Sequence, residues 1–354
     1  MALVLIMGAA LWGIGAVMGA PYRLRWGMIG VLWLAVVALH LVLPEGHPLR
    51  MATGESPALW LLLAAAASLV LAYRSGLRRL RRAAEVKEAP PVQTGTFAAA
   101  ELERYARHII LREVGGPGQK KLKEARVLVI GAGGLGSPAL MYLAASGVGT
   151  IGIIDDDEVD FSNLQRQIIH TDDRVHMPKV HSAADAIGAL NPYVTVRPYQ
   201  RRLSADMAAD LFEDYDLILD GTDNFDTRYL SNATAHALGI PLISGALSQW
   251  EGQLSVFDTA HGTPCYQCIF AEAPAPGLAP SCAEAGVISP LPGVIGSMMA
   301  AEAVKVITGA GQPLHSEMLI YDALYGETRK FKLSRRADCP ICGTKGDTHE
   351  PVAE

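Results

Sequence analysis

The run Arg126-Val-Leu-Val-Ile130 leads straight into Gly131-Ala-Gly133-Gly134-Leu-Gly136, and a second apolar run, Thr150–Ile154, ends on Asp155-Asp156-Asp157. Glycines so placed let backbone N–H groups approach a phosphate. The N-terminus of the helix that follows favours negative charge, and the acid can bind a ribose hydroxyl. Asp155 closes the second run and is preferred over Asp157 for that bond. Alone, this pattern points to a nicotinamide or flavin cofactor, and a dehydrogenase is the first expectation. The residues that follow change the chemistry. Asn163-Leu-Gln165-Arg166-Gln167 comes soon after the acid, Lys179 opens the next helical segment, and the run 216–220 delivers Gly221-Thr222-Asp223-Asn224 with Arg228 a turn later. Hydride transfer has no need of so many cations, whereas nucleotidyl chemistry does. Arg166, Lys179 and Arg228 would neutralise a triphosphate, and Asp223 would hold a Mg²⁺ bridging its oxygens. Any one of them could be a solvated charge; their placement after successive apolar runs carries the reading.

The cysteines make a second constellation. Cys265-Tyr-Gln-Cys268 and Cys339-Pro-Ile-Cys342 are two C-x₂-C pairs with 70 residues between them, and no cysteine precedes Cys265. Two such pairs predict a closed tetrahedral Zn²⁺ site, structural rather than catalytic, clamping the end of the chain onto the main domain. Cys282 is left over, after a Pro/Gly/Ala-rich stretch over 273–280 that suits a moving loop. No neighbouring residue in sequence lowers its pKa, and Glu284 would raise it.

These residues must be positioned by a fold, and the chain is not uniform. Eight Lys/Arg against two Asp/Glu up to residue 82 leave that part at +6; the whole chain of 354 residues is −6, so residues 83–354 carry −12. A large domain that acidic would repel a phosphate backbone, and no nucleic-acid partner is expected. The first part holds three charge-free stretches, read as transmembrane helices over about 2–20, 27–43 and 57–73, each with about 17–20 apolar residues against a ~30 Å hydrocarbon core. Arg23 and Arg25 follow the first span, and Arg74, Arg78, Arg79, Arg81 and Arg82 crowd the end of the third. The excess of arginine then places the amino terminus outside and the large domain in the cytoplasm, a multi-pass anchor. Residues 83–100 read as a linker broken by Ala89-Pro-Pro91, 101–343 as the catalytic domain and 344–354 as a tail. The expected fold is α/β: a Rossmann-like, mostly parallel sheet with helices on both faces. Antiparallel strands over Gln253–Phe257, Met318–Leu324 and Glu327–Leu333 extend it beside a helix over Val294–Ile307, and the zinc-bound segment closes it. Ile295, Met298 and Met299 on that helix are expected in the core, and the edge strands could receive an extended peptide tail.

Taken together, Arg104-Tyr105-Ala-Arg107-His-Ile-Ile-Leu, Gly131–Gly136, Ser162-Asn-Leu-Gln-Arg-Gln167, Pro178-Lys179, Asp220-Gly-Thr-Asp-Asn224, Glu251-Gly-Gln253 and Cys282-Ala-Glu-Ala-Gly286 span roughly residues 101–343. This set resembles the adenylyltransferases that activate ubiquitin-like sulfur-carrier proteins. The molybdopterin-synthase type is the nearest and the thiamine-pathway type a close relative. The resemblance implies that Gly134 and Asp155 meet the nucleotide, that Ser162, Asn163, Leu164, Gln165, Arg166 and Lys179 surround the phosphates, and that Asp223 and Asn224 complete the metal and nucleotide contacts. It implies the same zinc, and a homodimer in which Arg107 reaches into the partner subunit's site. The matching Cys282 joins the carrier through sulfur in thiamine-pathway and eukaryotic relatives, and is not needed for adenylation by the molybdopterin enzyme. The implied reaction converts ATP and a C-terminal Gly-Gly carboxylate into an acyl-adenylate and pyrophosphate, ready for a separate sulfur donor, since no sulfurtransferase domain follows Cys342. Asp223, Arg166, Lys179 and, in trans, Arg107 are the expected catalytic groups. A tRNA-base-adenylating relative is opposed by the −12 charge, and a non-catalytic membrane-tethered scaffold by the intact cations. The membrane spans depart from the family pattern.

Overall fold

A computed structural model of the chain describes residues 2–54, 56–87, 96–275 and 285–343. Cys282, the linker residues 88–95 and the tail 344–354 lie outside the described residues. The chain divides into two compact units, Met1–Gln93 and Thr94–Glu354.

The first unit is helical: α1 (Ala2–Val17), α2 (Tyr22–Val42), α3 (Pro48–Thr53) and α4 (Pro57–Lys87). Pro21 precedes α2 and Pro48 opens α3, where a missing N–H costs nothing. The small interior is Val4, Val36 and Trp60. A polar lock ties its helices: the Trp33 indole donates to the Trp60 carbonyl and the Trp60 indole to the Thr53 carbonyl, both at 3.2 Å. Most apolar side chains, among them Leu5, Ile6, Leu41, Val42, Leu62 and Leu69, face outward. Tyr22–Val42 and the stretch Pro48–Leu77 are long and apolar enough to cross a bilayer. The first expected span is shorter than read: α1 has 16 residues, about 24 Å of helix. The third runs on past Tyr73 to Lys87, and between the second and third stretches lies the short helix α3.

The second unit is built on one eight-stranded sheet. Its strands are β1 (Arg126–Ile130), β2 (Thr150–Ile154), β3 (Thr195–Tyr199), β4 (Leu217–Asp220), β5 (Leu242–Leu247), β6 (Glu251–Phe257), β7 (Glu317–Asp322) and β8 (Glu327–Lys332), in the order β3-β2-β1-β4-β5-β6-β7-β8. The first five run parallel and the last three antiparallel. Helices are α5 (Ala99–Ile109), α6 (Gly115–Glu124), α7 (Gly136–Ser146), α8 (Lys179–Leu190), α9 (Ala205–Phe212), α10 (Phe225–Leu238), α11 (Tyr266–Ile269) and α12 (Pro290–Thr308). Side chains alternate across a strand, so a sheet covered on both faces needs unbroken apolar strands. In β1, Val127 and Val129 join Leu140, Leu143, Ile187, Ile295 and Met299 on one side, while Leu128 and Ile130 join Phe212, Tyr215 and Phe257 on the other.

The parallel core and antiparallel extension agree with the sequence reading, with shifted ends. The expected strand from Asp216 starts at Leu217, because the Asp216 carboxylate takes the Arg126 backbone N–H and guanidinium. β7 stops at Asp322 rather than Leu324, because Asp322 Oδ1 accepts from the N–H groups of Leu324 and Tyr325 and turns the chain. Helix α12 is also long and apolar enough to span a bilayer, yet half of it is buried in this unit. An ideal Cβ on its Gly296 would lie 2.3 Å from the Leu135 carbonyl, so only glycine permits that approach to the start of α7.

Candidate active site

The sheet order reverses at β1, which pairs with β2 on one side and β4 on the other. Such a reversal opens a crevice beyond the carboxyl ends of the strands. A cleft of about 470 Å³ lies there, within the size range of small-ligand sites. Its lining brings Gly131, Gly133, Gly134, Asp155, Arg166, Lys179, Asp223 and Asn224 together.

The turn after β1 is closed by glycine. Gly131 has φ +92°, and a Cβ on Gly136 would lie 1.9 Å from the Gly131 carbonyl oxygen. Gly136 is therefore buried inside the turn and off the cleft wall. Asp155 leaves β2 with both oxygens in use: Oδ2 accepts from Ala132 N at 2.7 Å and Oδ1 from Asp157 N at 2.9 Å. Burial pushes its carboxyl up, while Lys179 and those two N–H groups pull the other way. Lys179, 4% exposed at the first turn of α8, places its ammonium 2.7 Å from Asp157 Oδ2. Asp157 thus balances the lysine rather than the ribose. Asp223 is exposed and its carboxylate makes no hydrogen bond or ion pair among the described residues. A free carboxylate beside a turn of N–H groups suits a hydrated Mg²⁺ shared with phosphate oxygens.

Several expected phosphate neighbours stand one layer back. Arg166 Nη2 donates to Asn163 Oδ1 at 2.7 Å, so Asn163 orients the arginine. The Ser162 N–H and hydroxyl turn to Asp160 Oδ1, and the Gln165 carbonyl accepts from the Ser289 hydroxyl. Ser162, Asn163, Leu164 and Gln165 are absent from the lining, whereas Gln167 is part of it. Asn224 caps α10, its Oδ1 accepting from Thr227 N at 2.9 Å, which commits that oxygen to the helix.

Arg228 corrects the sequence reading. It borders the cleft but is 5% exposed, and its guanidinium donates to Ser244 Oγ at 3.0 Å, to the Gly245 carbonyl at 2.6 Å and to the Thr222 carbonyl. Those bonds tie the middle of β5 to the loop carrying Asp223, so the charge is spent on positioning. Two other arginines were missed: Arg201 and Arg202 line the cleft from the loop after β3. Their signal was a basic pair directly after a strand, hidden because that strand was itself unread. His170 was also missed. Its Nε2 donates to the Ala132 carbonyl and its Nδ1 accepts from Ser182 Oγ, both at 2.9 Å, pinning the glycine turn to α8. Arg107 is exposed on α5 and not among the lining residues of its own chain.

The four cysteines come together as the spacing predicts. Cys265, Cys268, Cys339 and Cys342 are buried free thiols, with sulfur separations of 3.9 Å (265–268), 3.5 Å (265–339) and 3.3 Å (268–342). Four sulfurs about 2.3 Å from a central zinc stand roughly 3.8 Å apart, and all four here lie within 4.8 Å of one another. The cluster therefore fits a tetrahedral thiolate site. Burial pushes the Cys265 thiol up, a cost that a bound cation would reverse.

A profile of the ThiF family matches residues 105–341. The chain is 49% identical over 256 residues to the sulfur carrier protein adenylyltransferase of Thermus thermophilus, covering 71% of this chain and 94% of that one. It is 46% identical to the molybdopterin-synthase adenylyltransferase of Salmonella typhimurium, covering 69% and 97%. The SAMP-activating enzyme E1 of Haloferax volcanii is 45% identical over 72% of this chain and 93% of its own. Among solved structures, PaaA superposes with a TM-score of 0.60 at 23% identity (73% of this chain, 81% of that one). E. coli MccB with ATP superposes with the same TM-score at 21% identity (68% and 75%). These two likenesses concern the fold. A glycine turn at the switch point of a mixed sheet, a cation-lined cleft and a matching profile over most of the second unit lead to one statement: this chain belongs to the ThiF family.

Proposed function

We propose that this chain uses ATP to adenylate the C-terminal glycine carboxylate of a ubiquitin-like sulfur-carrier protein, of the molybdopterin-synthase small-subunit type. The observation that carries the proposal is the convergence of Arg166, Lys179 and Asp223 with the glycine turn in one cleft. A carboxylate oxygen of the carrier attacks the α-phosphorus. The bond from that phosphorus to the bridging oxygen breaks, pyrophosphate leaves, and a mixed acyl–phosphate anhydride remains. The nucleophile has no proton to lose, so no general base is required. What the site must supply is alignment and charge compensation. The backbone N–H groups of the turn and the start of α7 face the phosphates, and Asp155 takes the ribose by exchanging its bond to Ala132. Lys179, Arg166, Arg201 and Arg202 offset the triphosphate charge. A Mg²⁺ on Asp223 would supply further charge neutralisation between phosphate oxygens.

Arg107 completes the partner subunit's site in a homodimer, which accords with its exposure and its absence from the lining of its own cleft. Zn²⁺ on Cys265, Cys268, Cys339 and Cys342 would hold the C-terminal segment to α11. The helices of the first unit anchor the enzyme in a membrane with the catalytic unit in the cytoplasm, the outward-facing leucines and valines meeting lipid. The test is ATP–pyrophosphate exchange by the full chain with candidate carriers ending in Gly-Gly. Exchange that depends on the carrier and disappears in Asp223→Ala, with zinc content unchanged, supports the proposal. Wild-type exchange by Asp223→Ala would refute the assignment.

A further inference from the structure

Asn232 lies in the middle of α10 and is 3% exposed. Its Oδ1 accepts the Tyr266 N–H at 2.8 Å. A backbone N–H requires an oxygen there, so the orientation of the side-chain amide is fixed and Nδ2 is turned the other way. Nδ2 is buried and has no hydrogen-bond partner among the described residues. Buried donors are nearly always paired, so this one calls for an acceptor. Tyr266 directly follows Cys265, a fully buried member of the cysteine cluster. Burial pushes the Cys265 thiol up, and the Asn232 side chain is among the groups that draw it back, so amide and sulfur stand within electrostatic reach.

We propose that Asn232 Nδ2 donates a hydrogen bond to the Cys265 thiolate when Zn²⁺ occupies the four cysteines, which makes Asn232 a positioning residue of that centre. The role rests on the zinc site proposed above. Four thiolates on one divalent ion leave excess negative charge in a buried cluster, and N–H donors around the sulfurs offset it. Cys268 already has such a donor, since its Sγ accepts from the Arg336 N–H at 3.4 Å. A neutral thiol is a weak acceptor, whereas a metal-bound thiolate is a charged one, so ligation is what gives the amide its partner. One side chain then serves two residues adjacent in sequence. Oδ1 fixes the backbone of Tyr266 and Nδ2 the sulfur of Cys265, which sets the direction from which that sulfur meets the ion. The centre is thereby fastened to α10 as well as to α11.

The test measures Zn²⁺ affinity by chelator competition in the full-length, tag-free protein, comparing the wild type with Asn232→Ala and Asn232→Asp. Asn232→Asp keeps an oxygen for Tyr266 N but sets a second oxygen against the thiolate, whereas Asn232→Ala removes both contacts. Affinity will fall roughly 10- to 100-fold in Asn232→Ala, the range for outer-shell partners, and at least as far in Asn232→Asp. A role limited to holding Tyr266 requires instead that Asn232→Asp bind zinc as the wild type does. The wild type gives a readout independent of the variants. With cadmium in place of zinc, nuclear magnetic resonance will show scalar coupling between the metal and the Asn232 side-chain amide protons, carried through the sulfur. Wild-type zinc affinity in Asn232→Asp, or no such coupling in the cadmium-loaded wild type, would overturn the proposal. A wild type that binds no zinc would remove the zinc reading itself, and this bond with it.

Discussion

At the scale of single residues, charge type predicted which groups would gather at the cleft, and side-chain direction decided what each does there. Lys179 and Asp223 were legible because each stands at the start of an element that follows an apolar strand, where a side chain must face the crevice. Arg228 was misread for the same reason: its spacing from Asp223 is right, but it points inward to Ser244 and Gly245. Arg166→Ala, Lys179→Ala and Asp223→Ala will each lower the rate of adenylation by on the order of 10²–10³, with melting temperature little changed for exposed Asp223. Arg228→Met will behave differently, costing about 3 kcal/mol or more of stability by leaving buried carbonyls unpaired, as measured by denaturant unfolding. His170 adds a pH dependence. Burial holds its pKa below the ordinary 6.5, because the ring works as a neutral donor to Ala132 and acceptor from Ser182. The unfolded chain therefore takes up a proton before the folded one does. Stability from this residue is complete above pH 6.5 and falls as the solution is acidified below it. His170→Gln will flatten that slope in unfolding measurements; an unchanged slope would remove His170 as its cause.

At the scale of elements, legibility followed burial. β1 and β2 are unbroken apolar runs beside a glycine turn, so they could be read with their ends. β3 is the edge strand, half-exposed and carrying Arg197 and Pro198, a composition that argues against a strand unless its edge position is known. β5 holds Gly245, whose missing side chain makes room for the Met299 sulfur, an arrangement that only tertiary packing explains. The cysteine pairs were legible because a tetrahedral thiolate site would impose a spacing of its own. Their consequence reaches further than a clamp: the Tyr266 N–H donates to Asn232 Oδ1 at 2.8 Å, joining the cysteine-bearing α11 to α10, whose first turn follows Asp223. Removing zinc with a strong chelator will lower the melting temperature and weaken ATP binding together. Loss of zinc with neither change would show that the two sites are uncoupled. Gly296→Ala will be destabilising, because the new methyl must push the Leu135 carbonyl and with it the start of α7.

At the scale of the whole molecule, the opposed charges, +6 up to residue 82 and −12 after it, distinguish a helical unit from a sheet unit before any element is drawn. The helical unit was legible in its number of apolar stretches and less so in their limits, since apolar sequence does not mark where a helix stops. Expressed in bacteria, the full chain will stay with membranes through high-salt washing and leave only with detergent; release by salt alone would contradict anchoring by the helices. The resemblance read from scattered motifs over 101–343 and the family match over 105–341 cover nearly the same residues. The most direct measurement follows the fate of each phosphate. The full chain is incubated with ATP labelled at the α- or the γ-phosphorus and with a carrier ending in Gly-Gly. The account predicts that the α label appears on the carrier's C-terminus while the γ label leaves as pyrophosphate. Label on the carrier from the γ position, or release of ADP and inorganic phosphate, would contradict it.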